Sequence, residues 1–346
     1  MMKNIGRHFT PFQLITMGFA AVILFGAFLL TLPISSVEGV FTPFHKALFT
    51  STSAVCVTGL AVLDTGSYWS FFGQLVILIL IQIGGLGVVT VTVSVTLLSG
   101  KKISLMQRTT MQDAIAAPRI GGIVRLTKFI LKGAFLVELI GAVLLLPVFG
   151  KDFGVKGIWM SIFHSISAFC NAGFDIIGDG KSMLSYRHDP LVLCTLAILV
   201  AIGGLGFIVW EDIIAKKSWK KLNVYSKVII LAQIFFIVVG TFVYFILEYG
   251  NINTIGAESV GQKRLASFFQ SVTTRTAGFD ALIQNNLTDL SKAWGTVLMM
   301  IGGASGSTAG GVKLGTAVLV IMTLISVLRG KSDVVIHGRR VAHTTI

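Results

Sequence analysis

Three stretches of this sequence carry the same small polar turn. Phe49 leads in ten residues to Gly59 through Val57-Thr58-Gly59, Phe163 to Gly173 through Asn171-Ala172-Gly173, and Phe268 to Gly278 through Thr276-Ala277-Gly278. The turn residues are short and uncharged, so what they offer a ligand is backbone carbonyl oxygen, supplemented by the Thr hydroxyls. Converging carbonyls can replace the hydration shell of a cation such as K⁺. Glycine suits such a turn because it accepts positive φ and adds no side chain to narrow a path. Ordinary interhelical turns are the plain alternative, but they would not require the whole pattern to recur, with its glycines 114 and 105 residues apart.

Each turn is followed 24 to 30 residues later by a glycine pair, Gly84-Gly85, Gly203-Gly204 and Gly302-Gly303. The third pair opens Gly302-Gly303-Ala304-Ser305-Gly306-Ser307-Thr308-Ala309-Gly310-Gly311, followed by Lys313. Five glycines in ten residues exclude a regular helix interior. A phosphate-binding loop would need a preceding strand and a Gly-Lys-Ser/Thr sequence, and both are missing; the plain alternative is a glycine-rich helix-packing face. Gly84-Gly85-Leu86-Gly87 and Gly203-Gly204-Leu205-Gly206 imitate dinucleotide fingerprints, yet they lie in apolar runs without a βαβ setting. Among lone polar groups, Glu138 lies inside an apolar span, which makes it a functional candidate or one half of a buried pair. Arg275, three residues before a turn glycine, is positioned to pair with Asp280, and His164 reads as a hydrogen-bonded buried histidine.

The elements that must position these turns are membrane helices. Of 346 residues 54% are hydrophobic and only 12% charged, about half the charge of a soluble domain. Uncharged runs at Phe12 to Ile34, Phe71 to Leu98 and Leu191 to Val209 are each near the length that crosses a bilayer. The first is longer than a signal-peptide core and lacks a clear cleavage site, so it reads as a retained helix. Between long helices, Phe44 to Val55, Ile158 to Phe169 and Leu265 to Thr274 are too short to span and fit half-helices that dip in and return. The expected architecture is an all-α integral membrane protein, in which units of outer helix, re-entrant pore helix with filter turn, and inner helix surround a central pore. The units run over 1–100, 101–215 and 216–330, and 331–346 is expected to be the cytoplasmic start of a fourth.

Charge placement sets the orientation. The net charge is +13, and 18 of the 28 basic residues fall in Lys3/Arg7, 101–132, 216–227 and 329–340, which the positive-inside rule places, with the N-terminus, in the cytoplasm. Nucleic acid is excluded as a partner because no basic patch comes with stacking aromatics. Cys56, Cys170 and Cys194 have neither zinc nor disulfide spacing and read as small buried hydrophobes. No nucleophile, base or metal set converges, so an enzyme is the least favoured class. An ion-conducting protein leads. A secondary transporter for a small solute or cation is the second reading, since repeats and broken helices occur there too, and a noncatalytic membrane assembly subunit is the third.

Ser53-Ala-Val-Cys-Val-Thr-Gly-Leu60 and Thr273-Thr-Arg-Thr-Ala-Gly-Phe-Asp280, together with the repeated helix pattern, resemble the membrane subunit of bacterial Trk/Ktr/HKT-type K⁺ transport systems over essentially the whole chain. The resemblance implies a K⁺ selectivity filter at Val57, Thr58, Gly59, Asn171, Ala172, Gly173, Thr276, Ala277 and Gly278, with K⁺ held by carbonyls as the transported ion and no covalent cofactor. Relatives with Ser at the first filter glycine favour Na⁺. It also implies that Gly302 to Gly311, with Lys313, form an intramembrane gating loop. The expected setting is the bacterial inner membrane, as a homodimer on a cytosolic ring of nucleotide-binding regulatory subunits. Such proteins have four repeats around the pore; three are present here, so the fourth is expected to be lost, omitted or supplied by another chain.

Overall fold

The computed structural model describes residues 10–87, 90–91, 105–115, 122–330, 335–336 and 339–340. Lys3, Arg7, Lys101, Lys102, Arg119, Lys331, the end of the expected span at Leu98 and most of 331–346 lie outside the described residues.

Three long apolar helices carry the outer positions: α1 (Pro11–Thr31), α5 (Ile123–Phe153) and α9 (Val224–Glu248). Each is long and apolar enough to cross a bilayer, and in lipid only a helix satisfies every backbone group within its own segment. Thr10 and Gln13 form a capping box at the start of α1. The half-helices follow: α2 (Phe44–Val55) has the expected bounds, α6 (Lys156–Phe169) starts two residues before Ile158, and α10 (Val260–Thr273) starts five residues before Leu265, at the cap supplied by Ser259, and ends one before Thr274. Each packs against the outer helix of its own unit. A further helix, α4 (Leu105–Ile115), joins the first unit to the second, and its mixed polar composition fits a connection outside the bilayer.

The inner helices depart from the expectation of continuous spans. In the first unit α3 (Phe71–Leu86) ends at Gly87, whose φ is 84°. In the second, the run from Leu191 to Val209 is broken into α7 (Pro190–Gly204) and α8 (Phe207–Lys216), bent by 93°. The break follows from local conformation, because Gly206 sits at φ 91°, a region open to glycine at little cost. In the third, α11 (Asp289–Met300) and α12 (Leu314–Leu328) are separated by the glycine-rich stretch. Helix starts are marked by side-chain caps: Asp189 accepts from the backbone N–H groups of Leu191 and Val192 ahead of Pro190, and Ser259 and Gln262 form a second capping box.

The units follow one another around the molecule, because the inner helix of one packs on the pore helix of the next: α3 on α6, and α7 on α10. The second pore helix is therefore the most enclosed. Phe163, ten residues before the second turn glycine, is fully buried, whereas its counterpart Phe49 is 41% exposed. Beyond the helices, the described residues include one short antiparallel pairing, β1 (Val335–Ile336) with β2 (Arg339–Arg340).

Candidate functional site

Each half-helix ends directly before its turn, so three helix C-termini, with their partial negative charge, point at the same region. Past each end the backbone repeats one conformation. Val57 (φ 56°), Asn171 (φ 56°) and Thr276 (φ 64°) take left-handed values unusual for side-chain-bearing residues, and Gly59, Gly173 and Gly278 follow two residues later at 74°, 70° and 82°. The intervening Thr58, Ala172 and Ala277 do not. Such strain persists only where surrounding structure over-determines it, and here hydroxyls at the ends of the pore helices do so. Ser53 Oγ lies 2.8 Å from Thr58 Oγ1, and Ser167 Oγ donates to the Phe174 carbonyl at 2.7 Å. Thr273 Oγ1 donates to the Phe279 carbonyl at 2.7 Å and accepts from its N–H at 2.9 Å.

The three turns meet backbone to backbone. A β-carbon on Gly59 would lie 2.5 Å from the Ala172 carbonyl oxygen, and one on Gly173 would land on the Ala277 carbonyl and 2.7 Å from Gly278 Cα. The second turn is thus enclosed between the first and third, and the Ala172 and Ala277 carbonyls lie at the junctions between turns. Of the nine turn residues named from the sequence, Gly59, Ala172, Gly173, Ala277 and Gly278 meet at these junctions, and Val57, Thr58, Asn171 and Thr276 complete the same turns. The glycine pairs serve this packing: a β-carbon on Gly84 would strike the Val55 carbonyl and one on Gly203 the Phe169 carbonyl, the last residues of the first two pore helices.

The glycine-rich stretch folds into a loop beneath the second turn. Its ends are tied by Gly302 N–H to the Val312 carbonyl and Val312 N–H to the Met300 carbonyl, both 3.0 Å. It docks on the broken inner helix of the second unit, where Ala304 N–H reaches the Gly204 carbonyl (2.9 Å), Thr308 N–H the Gly203 carbonyl (3.2 Å), and Phe207 N–H the Gly306 carbonyl (2.9 Å). The 93° bend is what frees the Gly203 and Gly204 carbonyls and the Phe207 N–H from helix bonding and so creates the dock. The Thr308 hydroxyl lies 2.9 Å from the Phe169 carbonyl and 3.2 Å from Asn171 Oδ1. Ser307 Oγ closes onto the Ala304 carbonyl at 2.6 Å, and Lys313 Nζ donates to the Ala309 carbonyl at 2.8 Å. Between loop and turns is a cavity of about 10 Å³ lined by Asn171, Gly204, Gln233, Arg275, Gly303 and Ala309.

Arg275 is placed differently from its expected pairing with Asp280. Its Nη2 donates to the Gly302 carbonyl at 3.1 Å and its guanidinium stacks on Phe236, 5.7 Å from the ring centre. The physical reason is direction: Arg275 leaves the pore helix before the turn and faces the loop, whereas Asp280 lies past the turn, where its N–H donates to Ser182 Oγ at 3.2 Å. The buried His164 sits as expected, its Nδ1 2.7 Å from the Met160 carbonyl and its Nε2 accepting from Ile176 N–H at 3.4 Å. Of the cysteines, Cys170 is buried as expected, Cys194 only partly, and Cys56 is exposed.

Glu138 has a partner that the sequence reading missed. Gln82, on α3 of the first unit, donates from Nε2 to Glu138 Oε1 at 2.8 Å. An amide two residues before a glycine pair, inside an otherwise apolar run, was the available signal, since buried polar groups need partners. Asp64 was missed as well. It accepts from Ser67 N–H (2.7 Å) and Ser67 Oγ (2.8 Å), and from Gly180 N–H of the second unit (2.8 Å). Partial burial raises its pKa, but the hydrogen bonds from Ser67, Gly180 and Gly66 outweigh that, and the carboxyl titrates below its ordinary 3.8.

A repeated bundle of outer helix, re-entrant half-helix and interrupted inner helix, with carbonyl-lined turns at its centre, defines a membrane transport protein. The chain belongs to the TrkH cation transport protein family, whose model matches residues 7–346, and it is therefore not an enzyme. It is 40% identical to the potassium/sodium uptake protein NtpJ of Enterococcus hirae, over all of this chain and 76% of that protein. It is also 40% identical to the Ktr system potassium uptake protein B of Bacillus subtilis (98% of this chain, 75% of that one), and 39% identical to the protein of the same name from Vibrio alginolyticus (96% and 73%). The crystal structure of the potassium transporter TrkH from Vibrio parahaemolyticus shares the fold, with a TM-score of 0.68 at 19% identity, covering 99% of this chain and 68% of that one.

Proposed function

We propose that the chain is the K⁺-conducting subunit of a bacterial uptake system, with the Gly59, Gly173 and Gly278 turns as its selectivity filter and the 302–311 loop as its gate. The observation that carries the reading is the contact between the two: Thr308 on the loop bonds the Phe169 carbonyl and the Asn171 side chain, directly beneath the second turn. The curated relatives named for potassium uptake supply the ion. The alternative of a small-solute carrier is disfavoured by polarity: the half-helices present their C-termini and backbone carbonyls to the turns, which suits a bare cation, whereas carriers of anionic solutes aim half-helix N-termini at the substrate.

In this reading the protein sits in the bacterial inner membrane with its N-terminus in the cytoplasm and works as a homodimer on a cytosolic nucleotide-binding regulator. The 101–132 and 216–227 segments, with 12 basic residues, are its docking surface. Uptake by cells lacking other K⁺ systems tests the transport reading: growth at low K⁺ that depends on this protein is expected, and growth independent of it overturns the reading. Pull-down of the regulator in detergent free of anionic lipid tests the docking. Capture that fails at particular shuffled positions is expected, because a protein interface loses specific pairs; capture indifferent to position removes these segments as the docking surface, and no capture by the wild type removes the partner.

A further inference from the structure

A second threefold pattern lies behind the turns. Ser51, Ser165 and Ser271, all fully buried, stand on the three pore helices eight, eight and seven residues before the turn glycines. Each hydroxyl leaves its own helix and donates to a carbonyl of the outer helix: Ser51 to Ile23 at 2.7 Å, Ser165 to Glu138 at 2.6 Å, and Ser271 to Ile237 at 3.0 Å. Three residues beyond each acceptor is a glycine, Gly26, Gly141 or Gly240. A β-carbon on any of them would strike the serine hydroxyl. The reason is helical geometry: residue i+3 overlies the carbonyl of residue i, so only glycine leaves that oxygen's second lone pair open to an outside donor. A leucine of the inner helix closes each notch. Leu80, Leu199 and Leu298 each stand four residues before their unit's glycine pair and press on the same glycine, at 2.7, 2.7 and 3.2 Å from the position a β-carbon would take.

We infer that these three glycine–serine–leucine notches are the positioning devices of the filter: each fixes the depth of a pore helix against its outer helix and so sets where the filter carbonyls stand. The inference rests on the reading of the turns as a filter. A half-helix dipping into the membrane is anchored at one end by its connection and at the other by its turn. Without the notch its hydroxyl would be a buried donor with no partner outside its own helix, and the half-helix could slide along the outer helix. Carbonyl coordination distinguishes K⁺ from Na⁺ through the number and placement of oxygens, so a displaced pore helix alters the discrimination itself. Ser161 marks the contrast. Equally buried on α6, it bonds the Gly157 carbonyl of its own helix at 2.7 Å and fixes nothing outside it.

The test is ion binding to the purified full-length protein in detergent, titrated calorimetrically with KCl and with NaCl at constant ionic strength. Ser51→Ala, Ser165→Ala and Ser271→Ala are each expected to lower the K⁺/Na⁺ affinity ratio by about three- to tenfold, the equivalent of one lost hydrogen bond. Ser161→Ala is expected to leave the ratio unchanged. Where an alanine variant does not fold, the Ser→Cys variant, which keeps the bulk with a much weaker donor, takes its place with the same expected direction. A merely structural serine would lower thermal stability and leave the ratio alone, and that result overturns the inference. Gly59→Ser, run in parallel, separates the two readings: an unchanged ratio in the serine variants with a shifted ratio in Gly59→Ser removes the notches and keeps the filter, whereas an unchanged ratio in both, or no K⁺ preference in the wild type, removes both.

Discussion

Arg275 Nη2 donates to the carbonyl oxygen of Gly302 at 3.1 Å, joining the third turn to the first residue of the loop beneath it. Hydrogen bonds from charged donors are the stronger kind, about 1.5–3 kcal/mol, so this one weighs heavily on whether the loop stays. Arg275→Gln is expected to shift the loop toward release by about tenfold or more and to raise rubidium flux into proteoliposomes at matched protein levels. Flux at or below the wild-type level would show that Arg275 does not restrain the gate.

Thr308 holds the loop from its other side through the Phe169 carbonyl and Asn171 Oδ1. Thr308→Val keeps the shape and removes the hydroxyl, at a cost of about 1 kcal/mol or slightly more. Higher flux is expected, smaller in effect than that of deleting Gly303 to Gly310, which should leave the path unobstructed. If the stretch served helix packing alone, both changes would reduce the amount of folded protein without raising flux per molecule.

Gly59→Ser is expected to weaken K⁺ over Na⁺ discrimination. The residue stands at φ 74° with the Ala172 carbonyl beside the place a β-carbon would take, so the new side chain must displace the carbonyl oxygen of the neighbouring turn. Growth of uptake-deficient cells at low K⁺ with increasing Na⁺ reads the change. A variant as Na⁺-tolerant as the wild type would remove Gly59 from the filter.

Asp64 ties the outer loops of the first two units together through Gly180, and its folded pKa lies below 3.8. A carboxylate depressed in the folded state contributes stability that is complete above its ordinary pKa and is lost as pH falls through the lower, folded value. The thermal-stability gap between wild type and Asp64→Asn should therefore be constant near neutral pH and close as the pH drops below 3.8. A gap independent of pH would mean that the carboxylate charge is not what holds the loops.

What the sequence alone determined were the features each segment must satisfy by itself. A bilayer demands about 20 apolar residues per crossing and confines irregular backbone to protected paths, so the presence of three outer helices and three half-helices, the ends of the first two half-helices at Val55 and Phe169, and the turns at Gly59, Gly173 and Gly278 were legible from hydropathy and spacing, while the start of the third half-helix was not. The glycine-rich stretch declared itself a loop by composition. Tertiary structure decided everything that depends on which distant surfaces meet. Thr308 finds the Phe169 carbonyl 139 residues away, and Glu138 finds Gln82 across a boundary between units. Arg275 turns from the nearby Asp280 to Gly302 because it leaves its helix on the loop side. The serines at 51, 165 and 271 look like any others in a Ser/Thr-rich half-helix. Only the approach of the outer helix, with a glycine over each accepting carbonyl, distinguishes them from serines such as Ser161 that bond within their own helix, because hydropathy records the side chain and not the partner it meets.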